Sequence, residues 1–348
     1  MLNTIQREEF DLLSAFYYDD KFAFEIDSTI DSSLCCAIIF HELLGIVFNF
    51  EKIHLEKSPV VLGIKYDLDR SVLAVTNDRR AGLIREILDI FVRSRLGSGL
   101  AGKIRGKLGF AASVFWGKIG RAFFRSLTER QYDKSGRTDL TRAIKLSLMQ
   151  WIKILVGGTP REIALPNDHS AEVTIFTDGF YPNASRDEVG DPRVGGVIFD
   201  QCRSAPMTFT QVLPWELIEE WLPRSNQIAM VELFAPILAV MILGEELRGR
   251  SVVIFIDNES VESALIKGYS SREDLCELTA VFWDQCESLK IECYIDRVST
   301  DANIADGPSR DYQTFWDLAD RLGWHRIHSS IPECLHRHRS SRGLGVTN

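Results

Sequence analysis

At 348 residues, 45% apolar and 26% charged, the chain has the composition of a globular protein with room for about two or three domains, which sets intrinsic disorder aside. The net charge is −9, but the signs segregate: Arg93 to Lys153 holds 14 basic against 3 acidic residues, and Glu172 to Arg310 holds 24 acidic against 11 basic. A basic block joined to an acidic one suits a phosphate-tracking element beside a cation-binding one. Seven unevenly spaced cysteines read as reduced thiols of an intracellular protein, nuclear or cytoplasmic. The N-terminus lacks a signal-peptide pattern, and no apolar run is read as reaching the ~20 residues of a membrane helix, so no membrane partner is expected.

The first distinctive stretch is AFYYDDKFAF, residues 15–24, with Asp19 and Asp20 inside an aromatic, alternating run. Taken alone it reads as a hairpin turn, because Asp favours turns and flanking aromatics favour strands. Adjacent acids at a tight turn also suit a divalent cation facing phosphate oxygens. To about Asp69 the order is strand, turn, strand, helix, strand. NDRRAGLIREILDIFVRS (77–94) opens on an Asn/Asp cap and keeps a helical period. Two further basic helices are expected around 101–128 and 138–155. They include LGSGLAGKIRGKLG (96–109), which matches no P-loop, so no small-molecule cofactor is expected. GGTPREIALPND (157–168) is the best domain boundary.

Beyond that boundary come three strands, a long apolar helix (QIAMVELFAPILAVMILGEEL), a strand (RSVVIFID), two helices, a strand (KIECYIDRV) and ANIADGPSR. That order is α/β with a mixed sheet. Asp178 and Asp257 end strands, where such sheets place ligands. Glu232 lies on the apolar helix, and acids are rarely buried without a partner or metal. Asp306 lies in the last helix-forming stretch. Four converging carboxylates repel one another unless divalent cations lie between them, the electrostatic recipe of two-metal phosphodiester hydrolysis.

FTDG (176–179), VELFA (231–235), IDNES (256–260) and NIADGPSR (303–310), in that order, resemble the four blocks of a retroelement ribonuclease H. The resemblance implies a five-stranded mixed sheet with flanking helices. It also implies two Mg²⁺ or Mn²⁺ ions held by Asp178, Glu232, Asp257 and Asp306, and an RNA–DNA hybrid or other duplex as partner. Two departures stand out: RVSTDAN lacks the histidine many members carry, and the segment after Asp257 is too short for the basic protrusion of some cellular members. FYYDD resembles the Y-x-D-D box of reverse transcriptases, which implies catalytic roles for Asp19 and Asp20. LGIVFNFEKIHL and VVLGIKYDL resemble the palm segments C-terminal to that box, with Lys52 on the nucleic acid. LAGKIRGKLGFA resembles a thumb and connection, with Lys103, Arg105 and Lys107 tracking the duplex. Within retroelements the likeness is to DIRS-like or pararetrovirus-like polymerases.

The implied organisation is a partial palm (1–76), a basic helical thumb/connection (77–156), a linker (157–170), a ribonuclease H-like domain (171–312) and a tail (313–348). The tail carries His325, His328, Cys334, His336 and His338, whose spacing fits no usual structural zinc pattern. Only fourteen residues precede Ala15, so the polymerase site is expected to be incomplete, as in the C-terminal part of a longer chain. The expected activity is hydrolysis of the RNA strand of a hybrid. The alternatives are a catalytically silent nucleic-acid-binding remnant and a ribonuclease H fold used as an interaction scaffold.

Overall fold

The computed structural model describes residues 2–17, 20–163, 172–182, 190–332 and 335, which fall into two compact units, Met1–Arg70 and Ser71–Asn348. The first unit opens on a helix, α1 (Leu2–Phe10), that the sequence pattern did not reveal. A hairpin comes next, β1 (Leu13–Tyr17) and β2 (Asp20–Phe24), paired from Leu13↔Phe24 to Tyr17↔Asp20. Helix α2 (Ile30–Leu43) and a second hairpin, β3 (Val60–Val61) with β4 (Ile64–Asp67), complete the unit. Its buried polar pair is Gln6 with His41; Gln6 Oε1 also accepts from Ser14 Oγ at 2.9 Å and Lys21 Nζ at 2.7 Å.

The second unit begins with β5 (Val72–Val75), whose partner β6 (Arg161–Glu162) returns after four helices. Helix α3 (Asn77–Arg93) buries Leu83, Ile87 and Ile90, one stripe at helical spacing. The basic stretch expected as one helix over 101–128 breaks into α4 (Ser98–Ala112), a short 3₁₀ turn and α5 (Arg125–Gln131). The cause is local: Gly117 (φ +58°) and Gly120 (φ +78°) take left-handed backbone. A Cβ on Gly117 would lie 2.8 Å from the Trp283 ring, and one on Gly120 would lie 2.4 Å from the Trp151 ring. Helix α6 (Arg142–Gly157) starts where Thr141 Oγ1 accepts the Ile144 N–H at 3.3 Å, and it buries Leu148, Trp151 and Leu155.

The sheet opens with β7 (Val173–Phe180), β8 (Arg193–Asp200) and β9 (Met207–Val212), then helices α7 (Trp215–Glu219) and α8 (Ile228–Leu243). Next come β10 (Ser251–Ile256), α9 (Glu259–Lys267), α10 (Glu273–Ser288), β11 (Glu292–Arg297), α11 (Asp306–Ser309), α12 (Gln313–Arg321) and β12 (His325–Arg326). The order is β11-β10-β7-β8-β9-β12. β7, β10 and β11 are parallel, β8 is antiparallel to β7 and β9, and β12 runs parallel to β9. This is the mixed α/β class with flanking helices, widened from five strands to six because part of the stretch read as a tail pairs His325↔Met207 and Arg326↔Thr208.

Apart from Glu232, helix α8 is apolar on all sides because it is a core helix; Met230 through Val240 are all buried. The segment Ile228–Leu247 is long and apolar enough to cross a membrane, which corrects the expectation that no run reaches that length. The helical layer and the sheet belong to one unit: Trp116 Nε1 donates to the Ile291 carbonyl at 3.0 Å, and Arg125 pairs with Glu273 at 3.5 Å.

Candidate metal centre

The strand register places the first two acids. β10 runs parallel to β7 with Phe255 opposite Phe176, so extending both by two residues sets Asp257 opposite Asp178. The third acid comes from α8, and a glycine admits it. A Cβ on Gly179 would lie 2.7 Å from the backbone N of Glu232 and 2.8 Å from its Cα. Backbone cannot swing aside as a side chain can, so only glycine lets this turn of α8 meet the end of β7. On the opposite face, Asp178 pairs across the strands with Gly195, where a Cβ would lie 2.4 Å from the Ser309 N. Gly179 of TDG and Gly195 of VGGV are thus slots for two helices.

The result is a group of three carboxylates, Asp178, Glu232 and Asp257, with one oxygen of each lying within 4.8 Å of the others. Asp178 and Glu232 are buried and Asp257 half-buried. Burial, and then the facing charges of Asp178 and Asp257, push Glu232 up to about 9. Burial pushes Asp178 up to about 7 against a counteracting bond from the Ser309 hydroxyl, with Asp257 and Asp306 adding to the rise. Burial raises Asp257 as well, opposed by hydrogen bonds from Thr300 and Asn303. Among the described residues none of the three is ion-paired, and Glu232 Oε2 and Asp257 Oδ1 are buried without a hydrogen-bond partner.

Oxygen-only donors, crowded and short of positive charge, fit a hard divalent cation such as Mg²⁺ or Mn²⁺. Asp306 lies outside this group. It opens α11, its charge reaches Asp178 and Asp257, and its Oδ1 accepts from Arg310 Nε at 2.5 Å.

Around the acids stand residues whose role the sequence alone did not disclose. Asn303 donates from Nδ2 to the Thr177 carbonyl at 3.1 Å and accepts the Ala305 N–H at 3.1 Å, tying the last loop to β7. Thr210 Oγ1 donates to the Pro308 carbonyl at 2.7 Å and seats α11 on the sheet. Asn303, Ser309 and Arg310 all lie within NIADGPSR, so that block carried more than its aspartate.

The other residues singled out from the sequence are elsewhere. Asp19 lies outside the described residues, and Asp20 opens β2. Lys52 closes an exposed 3₁₀ turn in the first unit. On α4, Lys103 is exposed, Arg105 is half-buried with its Nε unpartnered, and Lys107 pairs with Glu86 at 2.5 Å. Cys334, His336 and His338 also lie outside the described residues.

The sequence matches no family model and no curated protein. Solved structures with a likeness include the foamy viral protease–reverse transcriptase in complex with an RNA/DNA hybrid, at 12% identity and TM-score 0.39. That likeness spans 85% of this chain and 37% of the other. The same protein's dRH form with double-stranded DNA gives 15% and 0.38, over 85% of this chain and 47% of that one. An RNase H1 from Halobacterium salinarum gives 18% and 0.30, over 40% of this chain and 98% of that one. The chain therefore spans less than half the length of these viral proteins. The fold class rests on the strand order and directions above.

Proposed function

We propose that the chain is part of a retroelement reverse transcriptase whose sheet region hydrolyses the RNA strand of an RNA–DNA hybrid. One observation carries this reading: three carboxylates, on β7, on α8 and directly after β10, meet within 4.8 Å with two oxygens left unpartnered among the described residues. Asp178, Glu232 and Asp257 would hold the metal, with Asp306 at its edge. Mg²⁺ or Mn²⁺ bound there would activate water and stabilise the leaving oxygen. The chain's own part is preorganisation. The Ser309 hydroxyl orients Asp178, Asn303 and Thr300 orient Asp257, and the Gly179 slot fixes Glu232 against β7.

A second reading, a nucleic-acid-binding remnant without turnover, draws on the Arg310 guanidinium already bound to Asp306. The test is cleavage of end-labelled RNA, alone and in a hybrid, by the full chain with Mg²⁺ or Mn²⁺. Hybrid-dependent cleavage that Asp257→Asn lowers by about a thousandfold or more supports the nuclease. Tight Mn²⁺ and hybrid binding without any cleavage supports the remnant.

A further inference from the structure

Three cations lie together where the helical layer meets the end of α9, whose last turn brings a fourth, Lys267. Lys118 and Arg121 come from the loop and 3₁₀ turn between α4 and α5, Arg161 from β6, and Lys267 from the last turn of α9. Gly268 makes the meeting possible: a Cβ there would lie 2.6 Å from Lys118 Cβ and 3.2 Å from Arg121 Cβ. Arg121 Nη1 donates to the Lys267 carbonyl at 3.5 Å.

The loop bearing Lys118 is held rather than loose. Gly117 and Gly120 lie under the Trp283 and Trp151 rings, and Trp116 is bonded to Ile291. Burial, and then the guanidiniums of Arg121 and Arg161, pull Lys118 below the ordinary lysine value. Gathering like charges costs free energy, and a polyanion offsets that cost.

Position supplies the rest. Helix α9 starts beside Asp257, where Asn258 caps it by accepting the Ser260 N–H at 2.9 Å, and it ends at Lys267. Nine residues at a rise of about 1.5 Å put the cations roughly 13 Å along that axis from the carboxylates. Phosphates recur about every 3.4 Å along one strand of a duplex, so the span is about four steps.

We infer that the face formed by Lys118, Arg121, Arg161 and Lys267 docks the phosphate backbone of the duplex whose scissile strand lies at the carboxylates. The inference rests on the nuclease reading for the position of that strand. It supplies from the helical layer the positive face that the short segment after Asp257 cannot, and that face exists only with both layers present. It also moves the main phosphate contacts away from α4, where Lys107 is already neutralised by Glu86.

The experiment uses the full chain carrying Asp257→Asn, a fluorescent RNA–DNA hybrid and a KCl titration from about 50 to 200 mM. Lys118→Gln, Arg121→Gln and Arg161→Gln together should lower affinity about tenfold or more and reduce the salt slope by between two and three, near 0.9 for each phosphate no longer neutralised. Glutamine keeps the inner methylenes that pack around Gly268. Arg161→Gln alone, at an exposed position, should reduce the slope by about one. Arg121→Lys with Arg161→Lys should keep it. An unchanged slope in the single and triple variants overturns the docking face. Wild-type chain that binds Mn²⁺ but never cuts hybrid overturns the nuclease reading, whatever the slopes show.

Discussion

The second unit buries carboxylates in two different ways. Asp200 and Asp274 are almost fully enclosed, and each has an arginine. Arg250 grips Asp200 with Nη2···Oδ1 at 2.6 Å and Nη1···Oδ2 at 2.9 Å, while Arg224 and the Leu222 N–H serve Asp274. Arg250 holds Asp200 below the usual carboxylate range. Asp178, Glu232 and Asp257 are enclosed beside one another with no such partner among the described residues, and all three are raised. A buried acid kept for architecture is neutralised by its surroundings. A set kept buried without neutralisation is one that a bound divalent cation would balance. The contrast also explains where the structure is costly: the triad carries a repulsion that the arginine-paired acids do not.

Removing one acid from each set should move stability in opposite directions. Asp274→Ala strands Arg224 in a largely buried position and should cost about 3–5 kcal/mol, read from urea denaturation of the metal-free chain. Glu232→Gln relieves repulsion at nearly constant volume and should stabilise the same metal-free chain. If Glu232→Gln destabilises it as much as Asp274→Ala does, the two sets of acids are alike and the contrast fails.

A divalent ion should reverse the penalty. Mn²⁺ at a hundredfold excess over its Kd should add about 2.7 kcal/mol to the wild-type chain and much less to Glu232→Gln or Asp257→Asn. Calorimetric melting with and without chelator measures it. Equal metal-induced shifts in wild type and both variants would place the ion elsewhere.

The two sets should also answer pH with opposite signs. Folded Asp178 and Glu232 sit above their ordinary 3.8 and 4.5, at about 7 and about 9. The stability linked to their protons is fully present below the unfolded values and is lost as pH rises through the folded ones. Asp200 is depressed, so its contribution is present above 3.8 and lost as pH falls through its folded value. Metal-free chain should therefore lose stability from about pH 5 to about pH 9, and Glu232→Gln should flatten that fall. A profile that rises across this range would contradict the charge state assigned to the triad.

Much of the sheet and all three triad acids were legible in the sequence, because period-two strands and a wholly apolar helix are local patterns and an acid on such a helix is conspicuous. The features that stayed hidden depend on contacts between distant segments. Gly179 and Gly195 look like turn formers until the helices they admit are in place. Lys118 and Arg121 lie far from the end of α9 in the chain and meet it only through packing at Gly268. The break in the basic helix was signalled by Gly117 and Gly120, but the two rings that pack on those glycines, Trp283 and Trp151, are supplied from further along the chain. The widening of the sheet by β12 hangs on a two-residue strand, too short for any periodicity to show.

Ser309→Ala should have the smallest effect and a distinctive one. The hydroxyl is fully buried and has one proton, which can serve either Asp178 Oδ2 or the Asp306 carbonyl 3.1 Å away. Donation to Asp178 favours its ionised form and opposes the rise that burial imposes. Without the hydroxyl the folded value should climb further, while the missing hydrogen bond should cost about 1 kcal/mol. Protons and metal compete for the same carboxylate. Mn²⁺ should therefore bind the variant several-fold more weakly near pH 6.5, and the gap should narrow near pH 8.5, where more of Asp178 is ionised in both. Isothermal titration calorimetry at the two pH values measures this difference directly. A constant loss at both would mean that Ser309 only seats α11 against Gly195, and an unchanged affinity at both would remove it from the site.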